Sequence, residues 1–142
     1  MNQTNPAQPT IALAESSKAM CSMFQEALAG ADVEFVFLHE PRAVLEYLEQ
    51  HTPNLLLIST KMPGKGGFSL LRECRKNPRN ENIPVIVISS KDYMQDRLIA
   101  KELNVLEFLV KPFSMQQIRT VVLDTLEQAG EQAGNQAEKN DT

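Results

Sequence analysis

Four polar residues each stand directly after an apolar run, and their types set what chemistry the chain can offer. Glu15 follows Ile11-Ala12-Leu13-Ala14, Ser59 follows Leu55-Leu56-Leu57-Ile58, Ser89 follows Val85-Ile86-Val87-Ile88, and Lys111 follows Phe108-Leu109-Val110. A carboxylate can hold a metal ion or pair with an ammonium. An ammonium can hold a small anion. A hydroxyl attacks an electrophile only when a base takes its proton. Ser59 has the most telling position. The run before it is apolar on both faces, as in a parallel strand covered by helices on each side. Met62-Pro63-Gly64 and Gly66-Gly67 then turn the chain away, and Phe68 opens a helical pattern. In open α/β sheets, sites are built at the carboxyl ends of strands. Serine at such a place needs an activating base, and neither histidine is positioned as one: His39 falls after the second strand and His51 ends the second helix. No cysteine has a base partner. Glu15-Ser16-Ser17 follows the first strand where a phosphate-binding chain would carry a glycine-rich loop.

The elements that position these residues alternate regularly. Thr10–Ala14 reads as a strand, and Ser16 or Ser17 caps a helix from Lys18 to about Ala29, stopped by Gly30. Val33–Leu38 is a second strand, and Pro41 opens a helix with Val44, Leu45 and Leu48 on one face. After the Leu55–Ser59 strand, a helix runs from about Phe68 to Lys76. A turn-rich loop follows at Asn77–Asn82, then the Val85–Ser89 strand. Asp92 is placed to cap a fourth helix that closes at Asn104, Val105–Val110 is a fifth strand, and Ser114 caps a fifth helix. The pattern predicts an α/β fold: a five-stranded parallel sheet, flavodoxin-like with strand order 2-1-3-4-5, and five helices on both faces. Residues 1–9 are expected to be a disordered lead-in, 10–128 the folded domain, and 129–142 a polar, disordered tail.

Bulk properties narrow the function. The 142 residues suffice for one domain, and 42% hydrophobic content supports a core. A net charge of −4 argues against nucleic acid as a partner. Cys21 and Cys74 sit in helical patterns with no metal-ligand spacing, so buried or half-buried free thiols are expected. No apolar run approaches the roughly 20 residues of a membrane span, and no signal-peptide character opens the chain. A soluble cytoplasmic protein is the expectation.

The chain resembles the receiver domain of bacterial two-component response regulators over about residues 10–128. The resemblance rests on Phe108-Leu109-Val110-Lys111-Pro112-Phe113 as the end of strand five, on Met62-Pro63 with Gly67 as the turn after the phosphoacceptor strand, and on Pro84 through Ser89 as strand four. It implies that the family's acidic, Mg²⁺-holding pair falls on Glu15 and Ser16. The phosphoacceptor falls on Ser59, the phosphoryl-binding hydroxyl and lysine on Ser89 and Lys111, and the switch aromatic on Phe108. It also implies a cis peptide at Lys111–Pro112. Three departures stand out: Ser59 replaces the nucleophilic carboxylate, Ser16 removes a second carboxylate, and Lys61 and Lys65 add positive charge around the crevice.

A degenerate, stand-alone receiver follows as the leading expectation, acting without phosphorylation as a protein–protein interaction module. It is not expected to be an enzyme, to hold a resident metal or cofactor, or to bind Mg²⁺ more than weakly. The resemblance implies signalling partners (a histidine kinase, another regulator or an output protein). The face made by helix four, strand five and helix five would meet them, with Lys101, Glu107, Gln116 and Arg119 as candidates and room for a homodimer. Two other readings stay open: modification of Ser59 or anion binding beside Lys111, and a small flavodoxin-like enzyme or nucleotide binder. The structural readings are plainer. Ser59 would be a neutral, hydrogen-bonded residue, Glu15 an ion-pair partner of Lys111, Ser89 a hydroxyl bonded to local backbone, and Phe108 and the methionines, Met94 and Met115 among them, core filler.

Overall fold

The computed structural model describes residues 8–140, with side chains through residue 131. The expectations for residues 1–7 and 141–142 therefore lie outside the described residues. The elements are β1 (Thr10–Ala14), α1 (Lys18–Ala27), β2 (Glu34–Leu38), α2 (Pro41–Gln50), β3 (Leu55–Ser59) and α3 (Gly67–Arg75). A 3₁₀ turn (Pro78–Asn80) follows, then β4 (Val85–Ser89), α4 (Met94–Glu102), β5 (Glu107–Val110) and α5 (Met115–Asn140). All strand pairs are parallel and the order is β2-β1-β3-β4-β5, as expected.

Alternation along the strands builds two cores. Leu55 and Leu57 of β3 face the layer of Phe24 from α1 and Ile118 and Val122 from α5. Leu56 and Ile58 face the opposite layer, with Val44 and Leu48 of α2 and Leu70, Leu71 and Cys74 of α3. All four are buried, and burial of such a side chain contributes about 1.5–3 kcal/mol. This double coverage is why the run carries no polar alternation.

Local signals mostly place the helix ends. Ser17 Oγ accepts from the Met20 N–H at 3.2 Å. At α5, Ser114 Oγ accepts from the Gln117 N–H at 3.0 Å and the Gln117 side chain accepts from the Ser114 N–H at 2.8 Å, a reciprocal cap. Gly30 and Asn104 take the left-handed conformation that ends a helix, with φ of 85° and 59°. Two expectations fail. Asp92 does not cap α4, because the chain enters the helix through Tyr93, which makes no side-chain cap bond; Asp92 binds Arg97. And α5 does not stop near residue 128 but continues through Gly130 to Asn140. Alanine, glutamine and glutamate are strong helix formers, and their sum outweighs about 1 kcal/mol for a glycine.

Arginine side chains receive the free carbonyls at the ends of three helices. Arg119 donates to Ala27 O and Ala29 O of α1 at 3.1 and 3.0 Å. Arg79 donates to Glu49 O and Gln50 O of α2, each at 3.0 Å. Arg75 is half-buried and fans across Asn80 O, Glu81 O and Ile83 O, and on to Leu103 O and Asn104 O after α4.

Both cysteines are free and buried. Burial pushes the Cys74 thiol up to about 11, from 9.0. The folded state thus holds a proton that the unfolded state releases first. Its contribution to stability is full below pH 9.0 and is lost by about pH 11. Urea midpoints should fall across that window and recover in Cys74→Ala relative to its own neutral-pH value. Arg75→Ala should lower stability by about 2–3 kcal/mol, a charged donor's worth of bonds. Arg75→Lys should restore little of it, since an ammonium cannot span the same fan; urea unfolding of the three proteins measures both.

Candidate functional site

Strand register brings the four marked residues to one edge. Ala14 lies opposite Ile58, so Glu15 emerges level with Ser59. Ser59 lies opposite Ile88 and Ser89 opposite Val110, so Ser89 and Lys111 emerge one step further along the neighbouring strands. The Lys111–Pro112 peptide is cis.

The turn back from β3 is very tight. Gly67 N–H donates to Thr60 O at 3.0 Å. A β-carbon at Gly67 would sit 2.1 Å from the Ser59 carbonyl oxygen and 2.8 Å from its carbon. The absence of a side chain at this position is what lets α3 begin against the strand end.

Within the crevice both serine hydroxyls are occupied by their own surroundings. Ser59 is 4% exposed, and its hydroxyl accepts from the Lys61 N–H at 3.3 Å. Ser89 Oγ donates to Lys91 O at 2.9 Å and accepts from Lys91 N–H at 3.1 Å. Thr60 Oγ1 lies 3.4 Å from Ser89 Oγ, linking the ends of β3 and β4. Ser89 is therefore bonded to local backbone, as the plainer expectation had it.

Glu15 departs from expectation. It is 3% exposed, and its Oε2 accepts from the Ser17 N–H at 2.9 Å. Its buried Oε1 has no hydrogen-bond partner. The ion pairs among the described residues join Arg42 to Glu46, Lys65 to Glu73, Arg72 to Glu102 and Arg97 to Asp92; the expected pair between Glu15 and Lys111 does not form. The carboxylate folds back on its own helix start, where N–H groups favour it. Lys111 stays half-exposed and so does not need a buried counter-charge.

His39 comes closer than the sequence suggested. Its Nδ1 lies 3.1 Å from the Glu15 carbonyl oxygen; a carbonyl only accepts, so Nδ1 carries the proton. This bond reaches the backbone and not the Ser59 hydroxyl. The Thr60 and His39 contacts were not legible in the sequence because each joins residues more than twenty positions apart.

The crevice brings one carboxylate, Glu15, to a would-be divalent cation. Mg²⁺ takes near-octahedral oxygen donors, usually with one or two carboxylates. Glu15 has a single uncommitted oxygen, Ser16 and Ser59 bring hydroxyls, and the Thr60 carbonyl already accepts from Gly67. Among the described residues no three His, Cys, Asp or Glu side chains converge.

Phe108 is half-buried against the core on the α2 and α3 side of the sheet. Its ring centroid is 6.4 Å from that of Phe68, and the Arg97 guanidinium carbon lies 4.9 Å above its ring. Of the residues expected on the face beyond it, Lys101, Glu107 and Gln116 are exposed. Arg119 is not on that face: it turns to α1 to receive the carbonyls described above. Met94 and Met115 are not core filler, being 79% and 42% exposed.

A doubly wound parallel sheet with a polar crevice at its carboxyl edge defines the structural class. Within it, the chain belongs to the response regulator receiver domain family, whose model matches residues 11–123. It is 30% identical over 130 residues to Response regulator Rcp1 of Synechocystis sp., covering 85% of this chain and 88% of that protein. It is 27% identical to Transcriptional regulatory protein BaeR of Escherichia coli over 78% of this chain, which is only 45% of BaeR. The crystal structure of the Mn²⁺-bound form of Rcp1 superposes with a TM-score of 0.72 at 28% identity, over 80% of this chain and 91% of that one. A signal receiver domain from Vibrio parahaemolyticus gives 0.82 at 18% identity, over 89% and 95%, a likeness of fold. Among the described residues no helix is long and apolar enough to cross a membrane.

Gly67→Ala should destabilise the domain by about 1–3 kcal/mol, the usual cost of overpacking, because the β-carbon meets backbone and not a movable side chain. Urea unfolding measures the loss, and near-native far-ultraviolet circular dichroism at 25 °C is expected.

Proposed function

We propose that this chain is an atypical receiver of two-component-type signalling that works as a phosphorylation-independent protein–protein interaction module. The observation that carries the proposal is Ser59: a neutral hydroxyl, 4% exposed and bonded to Lys61 N–H, at the place where the family resemblance puts the acceptor carboxylate. Serine there lacks both the charge and a base to attack phosphorus. Ser16 in place of a second acid leaves Mg²⁺ binding weak or absent. The domain acts by binding and not by catalysis, in the cytoplasm, without nucleic acid or membrane as partner. Histidine kinases, other regulators or output proteins are the candidate partners, and a homodimer would use the same face.

The surface supports the reading. The exposed large hydrophobics among the described residues are Tyr93, Met94, Leu98, Leu106 and Met115. All five belong to α4, β5, α5 or the turns that enter them. Apolar side chains gathered on one face and rimmed by Lys101, Glu107 and Gln116 mark an interaction site.

The test is intact-mass spectrometry after incubation with Mg²⁺ and acetyl phosphate. No adduct is expected on the natural chain. An acid-stable adduct at Ser59 would overturn the proposal and make Ser59 a modified switch; an adduct on Ser59→Asp alone would agree with serine silencing an otherwise competent crevice. Met94→Glu and Leu98→Glu should each weaken partner capture at least tenfold, read by surface plasmon resonance against an identified partner. Undiminished binding in both would remove the assigned face.

A further inference from the structure

Helix α4 is held differently from its neighbours. Only Ala100 of α4 is buried, whereas α3 buries Gly67, Leu70, Leu71 and Cys74. Met94 and Leu98, which would anchor the helix if they faced the core, are 79% and 61% exposed. Polar contacts take the place of burial. At the carboxyl end Arg75 Nε donates to Leu103 O at 3.1 Å and Nη2 to Asn104 O at 3.4 Å. On the amino side, the loop from β4 is fixed as far as Lys91 by the Ser89 hydroxyl. Beyond it, the first turns of α4 are fastened by one side chain. Arg97 forks onto Asp92, with Nε on Oδ1 and Nη2 on Oδ2 at 3.2 Å, while its guanidinium lies over the Phe108 ring. The Arg97 hydrogen bond holds the Asp92 carboxyl below its ordinary range, as a committed pair should.

We infer that Arg97 is a strap that fastens the amino half of α4 to Asp92 and Phe108, and that α4 pivots on its Arg75-held end when the strap opens. Arg97, Ala100, Lys101, Leu106, Glu107 and Phe108 line a groove of about 390 Å³ between α4 and β5. Arg97 stands at one wall of it, so opening the strap widens the groove and shifts Met94 and Leu98 together. A partner carboxylate that reaches Arg97 competes directly with Asp92, and the charged groups in the groove that modulate this competition are Lys101 and Glu107. The value of the strap to signalling rests on the interaction face proposed above; its existence does not.

Hydrogen-exchange mass spectrometry on the full chain, without any partner, tests the strap. Arg97→Gln and Asp92→Asn should each speed exchange of amides 94–103 by about three- to tenfold, the worth of an exposed ion pair plus a cation–π contact. Strands β3 and β4 should exchange as before. In a Phe108→Leu background, Arg97→Gln should add less than it does alone. Unchanged exchange in α4, equal acceleration throughout the domain, or a full increment in the Phe108→Leu background would each overturn the inference. Loss of partner binding without any change in α4 exchange would count against the strap and leave the docking face intact.

Discussion

The contact on which the arrangement depends is the one between Gly67 and the end of β3. A strand covered on both faces has nowhere to send its chain except up and over the carboxyl edge, and here the return begins at once. Because a β-carbon would come within 2.1 Å of the Ser59 carbonyl oxygen, only glycine allows α3 to start hard against the strand. That start fixes where Leu70, Leu71 and Cys74 enter the core. It also fixes where Arg75 leaves α3, and Arg75 in turn locates the end of α4. One missing side chain therefore sets the position of two helices and of the crevice they border.

The crevice itself is quiet electrostatically. A carboxylate and an ammonium at neighbouring strand ends invite a pair, yet Glu15 bonds Ser17 and Lys111 remains half-exposed. A short-range backbone donor satisfies one carboxylate oxygen of Glu15 without ordering a long side chain, while Oε1 keeps no partner. The same economy governs Ser59 and Ser89, whose hydroxyls bond residues two positions away. Hydroxyls settled in this way have little reason to rearrange around a ligand. This fits an arrangement in which recognition takes place on the apolar face beside α4 and not in the crevice.

Much of this was legible in the sequence where the governing rule is local. The apolar runs and the caps at Ser17 and Ser114 gave the strand order and helix starts, and the cysteine contexts gave buried thiols. The cis peptide at Lys111–Pro112 came from the family resemblance and not from local chemistry. What stayed hidden depends on partners distant in the chain. Arg119 reads as a polar residue on an exposed helix, but its guanidinium spans to carbonyls some ninety positions earlier. Asp92 has the right type for a cap, and the arginine five residues on competes for it successfully. Met94 is apolar, but periodicity alone does not say which side of a short, loosely held helix turns inward, and Met115 stands exposed at the first position of α5. The length of α5 was misjudged because a polar, Gln/Glu/Asn/Ala-rich composition was read as a solvated tail, whereas most of those residues favour a helix.

The three arginines that receive helix-end carbonyls have a mechanical consequence. The ends of α1, α2 and α4 all lie at the amino edge of the sheet, since each helix runs back against its strands. Forked cations tie this edge across elements, while at the carboxyl edge the Ser59 and Ser89 hydroxyls bond backbone two residues away. The domain is then a cantilever, clamped at one boundary and compliant at the other. Thermal displacement should grow with height above the clamp, except at the β3–α3 turn, where Gly67 holds the chain against Ser59.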